Sequence, residues 1–502
     1  MNLAILYSRA SAGINAPLVT VEVHLANGLP SLSIVGLPEM AVRESKDRVR
    51  GALGITGFQF PTRRIIINLA PADLPKDGGR FDLAIALGIL AASGQIPNQA
   101  FENCELLGEL ALSGELRPVT GVLPAALAAR AAGRAVLIPE KNAAEAALIT
   151  GLQIFTARNL LEVCCHFTDK PLPQFSGSPL RGEPIFYPDL ADVRGQYHAK
   201  RALEIAAAGG HSLLFSGPPG TGKSMLASRL PGILPPMNET EAIEIASIMS
   251  VSSQGFDPNR WGQRPYRTPH HTASGVSLVG GGSNPRPGEI SLAHGGVLFL
   301  DELPEFDRQV LEVLREPLES GRIIISRAVR QAEFPARFQL IAAMNPCPCG
   351  FLGDPIGQCN CAPKQISRYK ERISGPLLDR IDMHVEVPRL APSELLGPMP
   401  PATETSAQVK ERVIQARNRQ LTRYGQPNHM MDNRAVDRFC QLDKIGEQVM
   451  QQAMERLGLS ARAFHRILKI SRTIADLAEE ETISPAYLKE AIGHGRWDRK
   501  TQ

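Results

Sequence analysis

Residues 213–230 read LLFSGPPGTGKSMLASRL, and the fold follows from this passage. Leu213, Leu214 and Phe215 have the composition of a buried strand. The strand runs into Gly217, Pro218, Pro219, Gly220, Thr221, Gly222, Lys223 and Ser224, and a helix is expected next. The pattern G-x-x-x-x-G-K-[ST] needs glycine because the backbone must turn its N–H groups onto a phosphate. A following helix N-terminus adds positive potential. Lys223 supplies a point charge for β- and γ-phosphates, and the Ser224 hydroxyl suits Mg²⁺.

A second passage supplies what a Mg²⁺–nucleotide site requires. GGVLFLDELPEF (295–306) carries an apolar strand ending in Asp301 and Glu302. Asp301 is expected to hold the metal through water, and Glu302 to act as general base on the attacking water. FQLIAAMNP (338–346) is another apolar strand, and it ends in Asn345, an amide suited to orienting that water. SGPLLDRIDMHVEV (374–387) sets Arg380 between acids, where it can neutralise charge on a transferring phosphoryl group or simply pair with Asp379 or Asp382. Strand, glycine-rich turn, helix and strand in alternation give an α/β fold.

Working outward, the chain divides into parts. Residues 1–169 alternate strand-like text (VTVEVHL, RIIINL, AVLIPE) with helical text (PAALAARAAG, stopped by Gly133) and read as an α/β domain. Residues 170–188 hold five prolines and read as a linker. The nucleotide-type core spans 189–390 and includes a cysteine-rich loop at 347–361. A second linker covers 391–404, and 405–502 is helical throughout, as a lid would be. No internal repeat is evident. With 502 residues, 43% of them hydrophobic, about three domains can each bury a core. A net charge of +3, from 54 basic and 51 acidic residues, excludes a histone-like or acidic solvating chain but not a local nucleic-acid patch. The longest apolar stretch, near Leu83–Ala92, is too short to span a bilayer, and the opening residues lack a secretory pattern. A cytoplasmic location is expected.

Eight cysteines are present, and four crowd into fifteen residues. Cys347 and Cys349 are separated from Cys359 and Cys361 by nine residues containing three glycines, a turn-rich loop able to close a tetrahedral S₄ site. Zinc is the expected ion, with an iron–sulfur cluster or simply four reduced cysteines in a loop as the alternatives. Cys104, Cys164, Cys165 and Cys440 read as small core residues.

Together these elements resemble AAA+ ATPases of the magnesium-chelatase-like branch. Over nearly the whole chain the resemblance is to the ComM (YifB) group. It is carried by NLAPADLPKDGGRFDL (68–83), RPYRTPHHTAS (264–274), GGGSNPRPGEISLAHGGVLFLDE (280–302) and NPCPCG (345–350). The resemblance implies sensor roles for Asn345 and, in LSARAFHRILKISRTIADL (459–477), for Arg462, with Arg380 as an arginine finger. It implies ATP and Mg²⁺ as cofactors. It also implies a homo-oligomeric, hexameric ring that acts on single-stranded and branched DNA as a helicase, promoting branch migration during natural transformation.

Two insertions of the branch have counterparts. Arg264, Arg267, His270, His271 and the glycines at 280–282 match a helix-2 insert, and adjacent histidines seldom converge on one metal. SGRIIISRAVRQAEFPARFQL (320–340) matches a pre-sensor hairpin. Arg322, Arg327 and Arg330 are its candidate phosphate contacts, with Arg327 and Arg330 placed nearest the tip. The first domain resembles the proteolytic domain of Lon, but Arg80 stands where that family's serine would be and Leu123 where its lysine would be. Neither can serve as nucleophile or base. Two other functions fit the same core: a motor remodelling a partner protein, as in metal insertion, and a nucleotide-gated DNA-binding scaffold without turnover.

Overall fold

A computed structural model describes residues 2–177, 186–282, 284–326, 331–396 and 403–495. Its first sheet is built from β1 (Leu3–Arg9), β2 (Leu18–Ala26), β3 (Ser31–Val35), β4 (Arg64–Ala70), β5 (Cys104–Leu106), β8 (Ala135–Pro139) and β9 (Ile154–Ala157). The strands lie in the order β3-β4-β2-β1-β5-β8-β9, while β6 (Glu109–Leu110) and β7 (Leu116–Arg117) form a separate ribbon. β2 alternates half-exposed and buried positions, so one face meets the core. Against β1 and β2 packs the helix Asp82–Ala92, every residue of which is buried. That explains the chain's longest apolar stretch: it is a helix covered on all sides.

The second sheet comprises β10 (Leu213–Ser216), β11 (Tyr266–Arg267), β14 (Val297–Leu300), β17 (Gln339–Met344) and β18 (Met383–Glu386), all parallel, in the order β11-β14-β17-β10-β18. β14 (Val297–Leu300) and Leu340–Met344 of β17 are apolar without interruption because both faces of the sheet are covered there. Successive side chains nevertheless enter different cores. Leu213, Phe215, Val297, Phe299, Ile341 and Ala343 face the helix Tyr197–Gly209 and the C-terminal helices. Leu214, Leu298, Leu300, Leu340 and Ala342 face the other side. Between β11 and β14 lie β12 (Gly280–Gly281) and β13 (Arg286–Pro287), a small antiparallel pair. On the second face sits the hairpin β15 (Arg322–Ser326) and β16 (Gln331–Pro335), in register from Arg322↔Pro335 to Ser326↔Gln331. The expected helix after the glycine-rich loop is short, Lys223–Ala227, and Leu230–Ile233 follows as a separate turn.

The C-terminal part is helical among the described residues. Ser406–Tyr424 starts with a reciprocal capping box between Thr405 and Gln408. Ala461–Leu477 buries one face against it and against Tyr197–Gly209. Inside this bundle the fully buried Asp476 carboxylate accepts from Arg423, from Arg472 at 3.2 Å and from Asn428 at 2.8 Å. Asp476→Ala would strand two covered guanidiniums, so it is expected to cost about 3–5 kcal/mol. Calorimetry should show the C-terminal transition moving sharply down. A change within about 0.5 kcal/mol, as at an ordinary surface site, would contradict this role.

The segment read as a first linker is partly held: Phe175 donates its N–H to the Ile154 carbonyl at 2.8 Å, and Leu172 packs on the first core. Residues 178–185 lie outside the described residues. Cys104, Cys164 and Cys440 are buried as expected, but Cys165 is exposed. It lies on the outer side of the helix Leu160–Phe167, whose inner side carries Leu160, Val163 and Cys164.

Candidate nucleotide site

The strand order puts three polar strand ends side by side. β14, β17 and β10 are neighbours, and their C-terminal ends lead into Asp301, Asn345 and Gly217. The carboxyl edge of a parallel sheet is where such folds bind ligands. Gly217 is required by close approach: a Cβ there would stand 2.2 Å from the Val387 carbonyl oxygen. Gly222 is required by its backbone, at φ +92°.

Lys223 is buried, and its ammonium donates to the carbonyls of Gly217 at 2.7 Å and Pro218 at 2.8 Å, and to Asn345 Oδ1 at 3.1 Å. Burial pushes the Lys223 ammonium below its usual pKa, while the charges of Asp301 and Glu302 oppose that shift. Ser224 Oγ donates to Asp301 Oδ2 at 2.5 Å. The two oxygens suited to Mg²⁺ are thus already adjacent. Asp301 Oδ1 accepts the N–H of Glu302 at 2.9 Å. Glu302 itself has left-handed backbone, φ +52° and ψ +46°, a conformation costing a non-glycine residue about 1–3 kcal/mol and concentrated at functional sites. Its carboxylate remains exposed. The structure therefore brings Gly217–Ser224, Asp301, Glu302 and Asn345 into one cluster.

Arg380 and Arg462 are not in that cluster. β18 pairs with β10 from Leu213↔Met383 to Ser216↔Glu386, so Arg380, just ahead of β18, sits at the sheet's opposite edge. At least ~13 Å of strand separates it from the loop after β10. There Arg380 pairs with Glu319 at 2.6 Å and donates to the Pro376 carbonyl at 2.7 Å. Arg462 reaches the same Glu319 carboxylate at 3.1 Å. Arg380 pairs with neither Asp379 nor Asp382 through its side chain, as a purely local ion pair would require.

The cysteines converge. Sγ–Sγ distances are 3.4 Å for Cys347–Cys349, 3.7 Å for Cys347–Cys359 and 3.6 Å for Cys349–Cys359, and all four sulfurs, Cys361 included, lie within 4.8 Å of one another. Around a tetrahedral Zn²⁺ with Zn–S near 2.3 Å the expected separation is about 3.8 Å. The Phe351 backbone N–H and the neighbouring thiols pull the Cys349 thiol down to about 6, while burial and hydrogen bonds from the same neighbours push Cys359 up to about 12 and raise Cys361.

On the hairpin, Arg322 is exposed and pairs across the strands with Glu333 at 3.3 Å. Arg327 and Arg330 lie outside the described residues. In the insert, Arg267 is held by Glu289 at 2.7 Å, and Arg264 by the carbonyls of Pro235 and Gly295, so both serve internal packing. In the first domain Arg80 is buried and donates to the Thr120 carbonyl, while Leu123 is fully buried with its N–H toward Glu145 and Ser250. Neither position offers a hydroxyl or an amine.

Two contacts at and around these residues escape sequence reasoning. His271 Nδ1 lies 3.3 Å from Glu302 Oε2, with its ring against His270 and Phe306. The paired histidines were the only signal, and a metal-based reading of them leads away from the carboxylate. Glu319 is the second: nothing in REPLES (315–320) marks a carboxylate that will collect two distant arginines.

Residues 189–395 match the family described as magnesium chelatase, subunit ChlI; residues 21–142 match subunit ChlI of Mg-chelatase; and residues 403–494 match its C-terminal family. Competence protein ComM of Haemophilus influenzae is 52% identical over 499 residues, covering 98% of this chain and 97% of that protein. The chain belongs to the ComM/YifB family. YifB of Salmonella typhimurium is 50% identical, with 99% of this chain and 98% of that protein covered. The Lon protease of Chloroflexus aurantiacus is 30% identical over 139 residues, 26% of this chain and 16% of that protein. The ComM/YifB chain thus joins a Lon-like α/β region to an AAA+ core of the kind found in ATPases. Among the described residues, no helix is long and apolar enough to cross a membrane.

Proposed function

We propose that this ComM/YifB chain is a cytoplasmic, ATP-hydrolysing DNA translocase that works as a homo-oligomeric ring, a hexamer, and drives branch migration of recombination intermediates. The observation that carries this reading is the split of the machinery. Lys223, Ser224, Asp301, Glu302 and Asn345 are gathered at one edge of the sheet, whereas Arg380 and Arg462 share Glu319 at the other. A protomer so divided needs a neighbour's arginines against its own nucleotide, and a ring supplies them.

In this reading the loop 217–224 binds the ATP phosphates, and Lys223 exchanges its carbonyl partners for phosphate oxygens. Ser224 and Asp301 hold Mg²⁺, which neutralises charge on the phosphates. Glu302 takes the proton of the attacking water, and Asn345 orients that water. Arg380 and Arg462 stabilise the transferring phosphoryl group of the next subunit. Mixing Arg380→Ala chains with Lys223→Ala chains should then restore part of the turnover that each lacks alone. No recovery in rings shown to be mixed would contradict action across the boundary.

The hairpin β15–β16 runs within a few residues into β17, which ends at Asn345, so ATP-state changes at Asn345 can reach it through continuous chain. Arg322, Arg327 and Arg330 then grip phosphates without reading bases. The first domain acts as scaffold or DNA contact, without proteolysis. Zn²⁺ fills the four-cysteine site. DNA-stimulated ATP hydrolysis tests the reading against a motor that remodels a partner protein: single-stranded or forked DNA should raise turnover several-fold. Turnover indifferent to every DNA form would favour the protein-remodelling motor, and absence of turnover would favour a scaffold.

A further inference from the structure

The four-cysteine loop is packed against the nucleotide loop by three routes. The first is direct. Gly350, at φ +84°, closes a turn by donating its N–H to the Cys347 carbonyl at 3.0 Å, and a Cβ there would stand 2.7 Å from Pro219 Cδ. The second runs along the chain. Fully buried Cys347 follows Asn345 by one intervening proline, and Asn345 holds Lys223 at 3.1 Å. The third crosses the loop. The buried carboxylate of Asp354, between the two cysteine pairs, binds Arg389 at 2.9 Å. Arg389 continues the segment whose Val387 carbonyl abuts Gly217 and whose Pro388 carbonyl accepts from Gln196 at 2.7 Å. Between Cys349 and Cys361 the chain has no helix or strand of its own. Such a loop takes its order from what its side chains bind, so metal binding there is folding free energy.

We propose that the metal held by Cys347, Cys349, Cys359 and Cys361 clasps the phosphate-binding loop, so that occupancy of the thiolate site sets affinity for ATP. Thiol-directed loss of the metal would then switch nucleotide binding off. The inference rests on the zinc and ATP readings above, and the experiment separates them from it.

Full-length protein carrying Cys165→Ser, which removes the exposed thiol outside the cluster, is titrated with an organomercurial. Zinc release is followed with a chromophoric chelator, and binding of a fluorescent ATP analogue is followed in parallel. The clasp predicts that affinity falls at least tenfold in step with zinc release, at unchanged far-ultraviolet circular dichroism. Excess dithiol plus Zn²⁺ should restore it. Cys359→Ser should lower zinc content and ATP affinity together without any reagent. Zinc leaving with affinity unchanged within twofold overturns the clasp and leaves the zinc site standing. Protein that holds no zinc, even after Zn²⁺ is added, overturns both. General unfolding on zinc release counts against a local clasp, and zinc-loaded protein that binds no ATP overturns the nucleotide reading and the inference with it.

Discussion

Glu302→Gln should bind ATP as the wild type does and hydrolyse almost none of it. The amide matches the carboxylate in size but cannot accept the proton of the attacking water. Loss of a positioned general base lowers turnover by roughly 10²–10⁴-fold. Binding should persist, because the partners of the phosphates and metal are elsewhere: Lys223 on the loop, and Ser224 against Asp301. The backbone contact from Glu302 N–H to Asp301 is also unaffected by the side-chain change. The pair of measurements is ATP turnover and equilibrium ATP affinity. Turnover near wild type would remove Glu302 from the role of base. An equal loss of affinity would mean that the carboxylate acts by holding the metal.

Lys223→Ala should fail one step earlier. The ammonium is buried among acceptors, with the Gly217 and Pro218 carbonyls and the Asn345 amide oxygen all within hydrogen-bond range. A charged hydrogen bond is worth about 1.5–3 kcal/mol, so its loss against phosphate should weaken ATP binding by roughly 10–10²-fold. Turnover should vanish as a consequence. Isothermal calorimetry distinguishes the two variants: the first keeps the heat of ATP binding, and the second loses it. Wild-type affinity in Lys223→Ala would contradict the phosphate assignment.

Much of this site was legible because its residues are local in sequence and their chemistry is demanding. Gly217, Gly222, Lys223 and Ser224 fall within eight positions, and Asp301, Glu302 and Asn345 each follow an apolar strand whose burial could be read from composition. The parallel sheet then had to bring those strand ends together. The cysteine cluster was legible for the same reason, with four thiols on one short loop. What the sequence did not disclose depends on long-range packing. Glu319 meets Arg380 and Arg462 only after the short helix Arg315–Ser320 and the first turn of Ala461–Leu477 dock at the same sheet edge. His271 reaches Glu302 only because β11 lies parallel beside β14, which delivers the loop after β11 to the end of the acidic strand. The contact between Gly350 and Pro219 joins two loops separated by more than a hundred residues, and no periodicity encodes it. Cys165 shows the limit of reading a helix by residue type: it and Cys164 are adjacent, so they point to different sides.

The measurement that bears most directly on an ATP-driven DNA motor is strand displacement on forked and four-way DNA. It compares wild type with Glu302→Gln, each with ATP and without. Wild type should displace strands and migrate the four-way junction only when ATP is present, and Glu302→Gln should bind the same DNA and displace nothing. ATP hydrolysis by wild type without displacement on either substrate, or displacement by Glu302→Gln at the wild-type rate, would contradict the account.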